Sequence, residues 1–246
     1  MKYIIDLDGT LLNSDLANLD AVEFVKTLQE SSMEFLIMTN SIKSPSLIKN
    51  RLKQVDIHVG LEQIINPIVA MNLYTEKNNY KKAYAIGSQT ELDQLSIELD
   101  HEHPEIILLL DFEKNNIGYS ELQKIFDWID QGVPVVTASR SHYYLKSGKK
   151  TLDTGAFVTL LESVSDVTIE VIGKPSKEYF MAGVRKLNAQ PEEVTVIGDD
   201  WRTDVLGASK AGCESILIQS GKYQAGDEVH CKDSKCVKQL MHVLKP

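Results

Sequence analysis

Cysteine is scarce in this 246-residue chain: Cys213, Cys231 and Cys236 are an odd number with no disulfide framework. A reducing, cytoplasmic setting is the expectation. Long apolar runs are missing too. The longest aliphatic stretch, residues 106–110, is far short of the ~20 residues that cross a bilayer. The apolar start of the chain stops at Asp6, too soon for a signal peptide. Positive charge is in deficit, with 26 lysines and arginines against 35 acids and a net charge of −9. That balance argues against nucleic acid or an anionic membrane as partner. No Gly/Ser-rich tether separates domains, and no G-x-x-x-x-G-K-[ST], G-x-G-x-x-G or G-x-S-x-G motif is present. Nucleotide-cradling glycines and a serine-nucleophile elbow are thereby excluded.

What is present is ordinary globular material, 43% apolar and 25% charged, enough for one large domain or two modest ones. Apolar runs of strand length alternate with amphipathic stretches of helical period. Strands are expected near residues 3–5, 34–38, 81–87, 104–110, 133–137, 167–172, 194–197 and 215–218. Helices are expected near 19–30, 44–53, 61–75, 89–98, 119–130, 154–163, 176–187 and 203–211, with a last one ending near 244. Asn18 or Asp20 is the candidate cap of the first, Ser44-Pro45 opens the second, and Gly212 closes the one before the final strand. This alternation predicts an α/β fold with a parallel sheet.

Four of the strand ends carry reactive groups: Asp6 and Asp8; Thr39 and Asn40; Lys174; and Asp199, Asp200 and Asp204. Each alone reads as readily as a turn, a helix cap or a solvated lysine. Together they follow buried strands of a parallel sheet, whose carboxyl ends line the ligand crevice. Asp6 and Asp8 repel unless a cation lies between them, which suggests a hard metal such as Mg²⁺. Several carboxylates with one lysine suit metal-assisted phosphoryl transfer with an aspartate nucleophile.

Asp6-Leu7-Asp8-Gly9-Thr10 resembles the D-x-D-G-T signature of the haloacid dehalogenase superfamily. Thr39, Lys174 and the 198–204 stretch resemble its other three motifs in order. Leu36-Ile37-Met38-Thr39-Asn40, Gly173-Lys174-Pro175-Ser176 and Arg202-Thr203-Asp204 are most similar to class IIA, with its NagD-like and 4-nitrophenylphosphatase-like members. The resemblance implies a Rossmann-like core, residues 1–79 and 171–246, with an α/β cap inserted at 80–170. It implies Asp6 as nucleophile and Asp8 as general acid and base. Thr39 and the Asn40 backbone N–H would bind the phosphoryl group, and Lys174 would hold Asp6 and the phosphate. Mg²⁺ would be bound by Asp6, the Asp8 carbonyl and Asp199, with Asp204 in support; Asp200 has no assured role.

Where relatives carry Thr-Asn-Pro-Asp on a cap strand, this chain has Thr137-Ala138-Ser139-Arg140. Arg140, with His142, Tyr143, Tyr144 and Lys146 nearby, is a candidate contact for a second anionic or hydroxyl-rich end of the substrate; a solvated cap loop is the equal alternative. The expected activity is hydrolysis of a small phosphorylated metabolite, such as a sugar phosphate or nucleotide, through an aspartyl phosphate. A phosphotransferase or mutase of the same fold, and a non-catalytic binding or regulatory protein, remain open, as does a homodimer. His230, Cys231, Cys236 and His242 fit no standard zinc spacing. Trp128 is expected to pack inward, and Trp201 to brace Asp199.

Overall fold

A strand that is apolar throughout must be covered on both faces, and the computed structural model buries these runs in two parallel sheets. It describes residues 2–113, 117–146, 149–231 and 234–244. The chain forms two compact units, one of Met1–Asn66 with Lys174–Pro246 and one of Pro67–Gly173. The inserted unit thus starts at Pro67 rather than the expected 80 and ends at Gly173 rather than 170, because the helix Pro67–Lys77 belongs to it.

In the first unit six strands run in the order Lys235–Val237, Glu214–Ile218, Val194–Gly198, Lys2–Ile5, Phe35–Met38 and Ile64–Ile65. All their pairings are parallel, with Ile5 level with both Ile197 and Ile37. Ile4, Ile5, Ile37 and Met38 are wholly buried, as a sheet covered by helices on both faces requires. The helix Lys177–Lys186 inserts Tyr179 and Phe180, also fully buried. The chain leaves the strand Lys2–Ile5 through a short antiparallel hairpin, Leu12–Asn13 with Leu16–Ala17.

The second unit has its own parallel sheet, ordered Glu170–Val171, Val135–Thr137, Ile106–Leu109, Lys82–Ile86 and Glu98–Leu99. Its core packs Ile107, Leu109, Ile125 and Trp128, the indole lying 4.9 Å from the Tyr84 ring. Tyr143–Lys146 and Lys149–Leu152 form an antiparallel hairpin.

Three local expectations are corrected. Residues 61–75 are not one helix: Ile64–Ile65 extends the core sheet beside Ile37 and Met38, and the helix begins at Pro67. Two isoleucines beside an open sheet edge gain more from pairing than from one helical turn. Residues 89–98 shrink to a single helical turn, Gln89–Leu92, followed by the edge strand Glu98–Leu99. The tail adds a strand, Lys235–Val237, and ends in a 3₁₀ turn, Leu240–Leu244, rather than an α-helix. Asp20 does precede the first helix, Ala21–Glu30, but its carboxylate accepts from the Leu240 and Met241 amides instead of capping. Among the described residues no helix is long and apolar enough to cross a membrane.

Candidate active site

Neighbouring parallel strands stop level with one another, so the residues that follow them meet. Asp6 follows Lys2–Ile5, its N–H still bonded to Ile197 O at 2.8 Å, and Thr39 follows Phe35–Met38, its N–H bonded to Ile65 O at 3.1 Å. Asp199 follows Val194–Gly198, and one π-helical turn, Trp201–Val205, then carries Asp204 back toward it. Asp6, Asp199 and Asp204 are all buried, and each offers a carboxylate oxygen within 4.8 Å of the others. Lys174 lies among them, its Nζ donating to Asp6 Oδ1 at 2.5 Å and Asp204 Oδ1 at 2.6 Å. Its side chain is only 3% exposed.

Burial sets the electrostatics. Loss of hydration pushes the Asp6 carboxyl up to about 6, despite the Lys174 charge that pulls it down, with Asp199 adding to the rise. Asp204 is likewise pushed up to about 6 by burial, opposed by Lys174 and aided by Asp6. Asp199 is raised mainly by burial. Burial opposes the charge on Lys174, but Asp204 and Asp6 together hold its pKa well above the usual lysine value.

Three buried carboxylates against one ammonium leave an excess of two negative charges. Asp6 Oδ2 is buried with no hydrogen-bond partner among the described residues. An orphaned carboxylate oxygen, an all-oxygen donor set and that charge excess fit a hard divalent cation.

The backbone is shaped to the cluster. Gly9 has a φ of +102°, and a Cβ there would fall 2.2 Å from Asp199 Oδ2. Gly221, at φ +52°, would place one 2.1 Å from the same oxygen. Only glycine combines that conformation with such an approach. Lys222 N–H then donates to Asp199 Oδ2 at 2.6 Å, and Thr10 Oγ1 lies 3.4 Å from Oδ1.

The other expected residues divide. Thr39 is buried, and its Oγ1 accepts from Ser41 N–H at 3.1 Å, which leaves the hydroxyl proton free to donate. The Asn40 side chain clamps Lys174 through two backbone bonds: Oδ1 accepts from Lys174 N–H at 2.7 Å and Nδ2 donates to Lys174 O at 3.1 Å. Asp200 caps the π-helical turn by accepting from Arg202 N–H at 3.0 Å, with Arg202 and Lys222 near its carboxylate. Asp8 stands outside the buried cluster, and its carboxylate pairs with Arg51.

Arg140, in the other unit, is held there by Glu162 and by the Ile169 carbonyl at 3.1 Å. The side chains of Tyr144 and Lys146 lie outside the described ones. Trp201 does not brace Asp199: it stacks on His230 at 4.0 Å, with Arg202 on its ring. Cys231 Sγ faces Asp227 O.

Sequence reasoning missed Arg51, Tyr179 and the Ser220-Gly221-Lys222 turn. Tyr179 donates to Thr39 O at 2.5 Å and Ile65 O at 3.2 Å, tying together two strand ends. Ser220 Oγ donates to Gly9 O at 2.7 Å. That turn had a signal: it too follows a buried strand, Glu214–Ile218. Arg51 and Tyr179 lie within helices rather than after strands and had none.

The model of haloacid dehalogenase-like hydrolases matches residues 3–98, and an HAD-hydrolase-like model matches residues 171–242. Haloacid dehalogenase-like hydrolase domain-containing protein 2 of Bos taurus is 31% identical over 226 residues, covering 92% of this chain and 86% of that protein. Phospholysine phosphohistidine inorganic pyrophosphate phosphatase of Xenopus laevis is 26% identical over 235 residues, with the same coverage of 92% and 86%. The solved p-nitrophenyl phosphatase from Archaeoglobus fulgidus shares the fold, with a TM-score of 0.86 at 21% identity, over 99% of this chain and 98% of that one. This chain belongs to the haloacid dehalogenase-like hydrolase family.

Proposed function

We propose that this haloacid dehalogenase-like hydrolase is a Mg²⁺-dependent phosphatase that cleaves small phosphomonoesters through an aspartyl phosphate on Asp6. The observation that carries the reading is the Asp6 carboxylate itself. It is buried, with one oxygen fixed by Lys174 and the other without a hydrogen-bond partner among the described residues, beside two further carboxylates. A carboxylate built only for stability would have both oxygens satisfied.

Asp6 attacks phosphorus as the ester P–O bond breaks, and Asp8 gives a proton to the departing oxygen. Water then attacks the phosphorus of the aspartyl phosphate, Asp8 takes its proton, and inorganic phosphate leaves with Asp6 restored. The Thr39 hydroxyl and the Asn40 backbone N–H, which has no partner among the described residues, donate to the phosphoryl oxygens. Lys174 neutralises charge there and keeps Asp6 aimed.

Asp6, Asp199 and the Asp8 carbonyl would hold the cation. Asp204 acts through Lys174 and the Asp200 N–H that its side chain already engages. When bound, Mg²⁺ supplies Lewis-acid neutralisation of the phosphoryl oxygens. Arg140 has no part in this reading, since its charge is engaged by Glu162.

The test is release of phosphate from 4-nitrophenyl phosphate, alkyl and sugar phosphates, nucleotides, pyrophosphate, phosphohistidine and phospholysine, with and without Mg²⁺. Acid quenching should trap a hydroxylamine-sensitive phosphoenzyme that Asp6→Asn cannot form. Turnover without Mg²⁺, or phosphoenzyme in Asp6→Asn, sinks the proposal.

A further inference from the structure

Asp8 differs from the site's other carboxylates in what holds it. Its side chain is 47% exposed, and its hydrogen-bond partner is Arg51, whose Nη2 lies 3.0 Å from Oδ1. The carboxylate has no other partner among the described residues. The same Nη2 donates to the Ser14 carbonyl at 2.9 Å, and Nε lies 3.9 Å from Asp15 Oδ1. Arg51 stands on the helix Pro45–Gln54, which Ile48 and Leu52 anchor in the core. Ser14 belongs to the turn between the two hairpin strands and has a φ of +56°. The start of that segment is pinned by Gly9 N–H to Leu12 O at 2.6 Å and by Asn18 Nδ2 to Thr10 O at 3.0 Å. The guanidinium is therefore fixed from two sides before it meets Asp8.

We propose that Arg51 is a positioning residue that aims the Asp8 carboxylate for its second task, accepting the proton of the water that hydrolyses the aspartyl phosphate. This rests on the role given to Asp8 above. The bond from Nη2 fixes Oδ1 at 3.0 Å, while Oδ2 has no hydrogen-bond partner among the described residues and is the oxygen left to meet the water. A half-exposed aspartate with no other hydrogen-bond partner among the described residues would otherwise spread over its rotamers, and proton transfer demands a narrow geometry. The step balances within the proposed cycle: the water O–H proton goes to Asp8, the new P–O bond forms, and the bond between phosphorus and Asp6 breaks.

The experiment is stopped-flow and steady-state hydrolysis of 4-nitrophenyl phosphate by wild type, Arg51→Ala, Arg51→Lys and Asp8→Asn, each with its melting temperature. This leaving group needs little proton assistance, so formation of the phosphoenzyme proceeds while its hydrolysis is slowed. In Arg51→Ala, kcat should fall about tenfold and KM fall with it, leaving kcat/KM near the wild-type value. A nitrophenolate burst should appear, and phosphoenzyme should accumulate on acid quench. Arg51→Lys should recover part of kcat. Asp8→Asn should show the same pattern more strongly, and adding Arg51→Ala to it should change nothing further.

A raised KM with lowered kcat/KM, persisting in the Asp8→Asn background, would mean that Arg51 binds substrate and overturns the proposal. So would wild-type kinetics in Arg51→Ala. If Asp8→Asn accumulates phosphoenzyme and Arg51→Ala does not, the Arg51 role fails alone. If neither does, the assigned chemistry of Asp8 fails with it.

Discussion

Two strand ends in this chain carry the same local device and use it differently. In the first unit Phe35–Met38 runs into Thr39-Asn40-Ser41, and Thr39 Oγ1 accepts from the N–H two residues on. In the second, Val135–Thr137 runs into Ala138-Ser139-Arg140, and Thr137 Oγ1 accepts from Ser139 N–H at 3.3 Å. The difference is what becomes of the hydroxyl proton. Thr137 donates to Leu109 O at 3.2 Å and Ser139 O at 3.0 Å, while Thr39 Oγ1 donates to nothing among the described residues.

The nearby cations differ in the same way. Lys174 is 3% exposed between two buried carboxylates, whereas Arg140 is 45% exposed on one partly buried glutamate. Similar strand-end chemistry is thus self-contained in one unit and open to a ligand in the other. The open one is where function is expected.

The largest effect expected from breaking that contrast is at Asp6. Asp6→Asn keeps the shape and removes the proposed nucleophile, so kcat should fall by at least about 10³-fold. The far-UV circular dichroism should stay native, and a measurable Mg²⁺-dependent rate would refute the assignment. Next is Lys174. Its removal leaves Asp6 and Asp204 buried without their cation, and breaking such an arrangement costs about 3–5 kcal/mol. Lys174→Met should therefore lower both the denaturation midpoint and turnover without Mg²⁺ rescue to wild-type levels.

The carboxylate excess predicts a pH effect of opposite sign to ordinary acid denaturation. With Asp6 and Asp204 at about 6 in the fold against the ordinary 3.8, the metal-free native state keeps protons that the unfolded chain releases. That contribution is present in full below the ordinary value and is lost as pH rises through about 6, on the order of 3 kcal/mol for one such group taken alone. Mg²⁺ would take over the protons' role. The rise in melting temperature on adding Mg²⁺ should be larger at pH 7.5 than at pH 5, and equal rises would remove the cation from the carboxylate cluster.

Thr39 and Thr137 can be compared directly as valines. Thr39→Val loses the proposed phosphoryl donor, and kcat/KM should fall about 10–100-fold with little change in stability. Thr137→Val takes a donor from Ser139 O and an acceptor from Ser139 N–H, while Leu109 O keeps the Ala138 N–H at 2.9 Å; it should cost about 1 kcal/mol of stability with kcat/KM unchanged. Equal losses of activity in the two variants would erase the distinction between the strand ends.

The core sheet and its strand ends were legible because burial on both faces writes near-continuous apolar runs, and the residues after them are polar by contrast. Asp6, Thr39 and Asp199 sit at such transitions, whereas Asp204 lies on the π-helical turn beyond one and Lys174 follows Glu170–Val171, an edge strand of the second unit's sheet. What was hidden came from contacts distant in sequence. Arg51 reaches Asp8 across a helix, Tyr179 bonds the carbonyls of two strand ends, and the Asn40 side chain grips the backbone of Lys174. None of these shows in local periodicity. The strand Ile64–Ile65 was missed because two residues cannot display an alternation. The start of the inserted unit was missed because Pro67–Lys77 has the same helical pattern whichever sheet its contacts favour.

The smallest effect is at Arg140, and it bears on whether the second unit's strand end is truly self-contained. Its guanidinium bonds Glu162 and Ile169 O, and Glu162 Oε1 also accepts from Ile169 N–H at 2.7 Å. Arg140 and Glu162 thus close a local ring between the strand end, the helix Thr154–Ser165 and the segment entering Glu170–Val171. A partly exposed pair of this kind is worth at most about 1 kcal/mol. Arg140→Ala should lower the melting temperature by a few degrees at most, and Glu162→Gln should do the same. Neither should reorder a panel of phosphate esters by kcat/KM. Should Arg140→Ala alone weaken esters that carry a second anion, while Glu162→Gln leaves them untouched, the arginine would be shown to trade its glutamate for substrate. The contrast between the two strand ends would then be one of conformational state rather than of wiring.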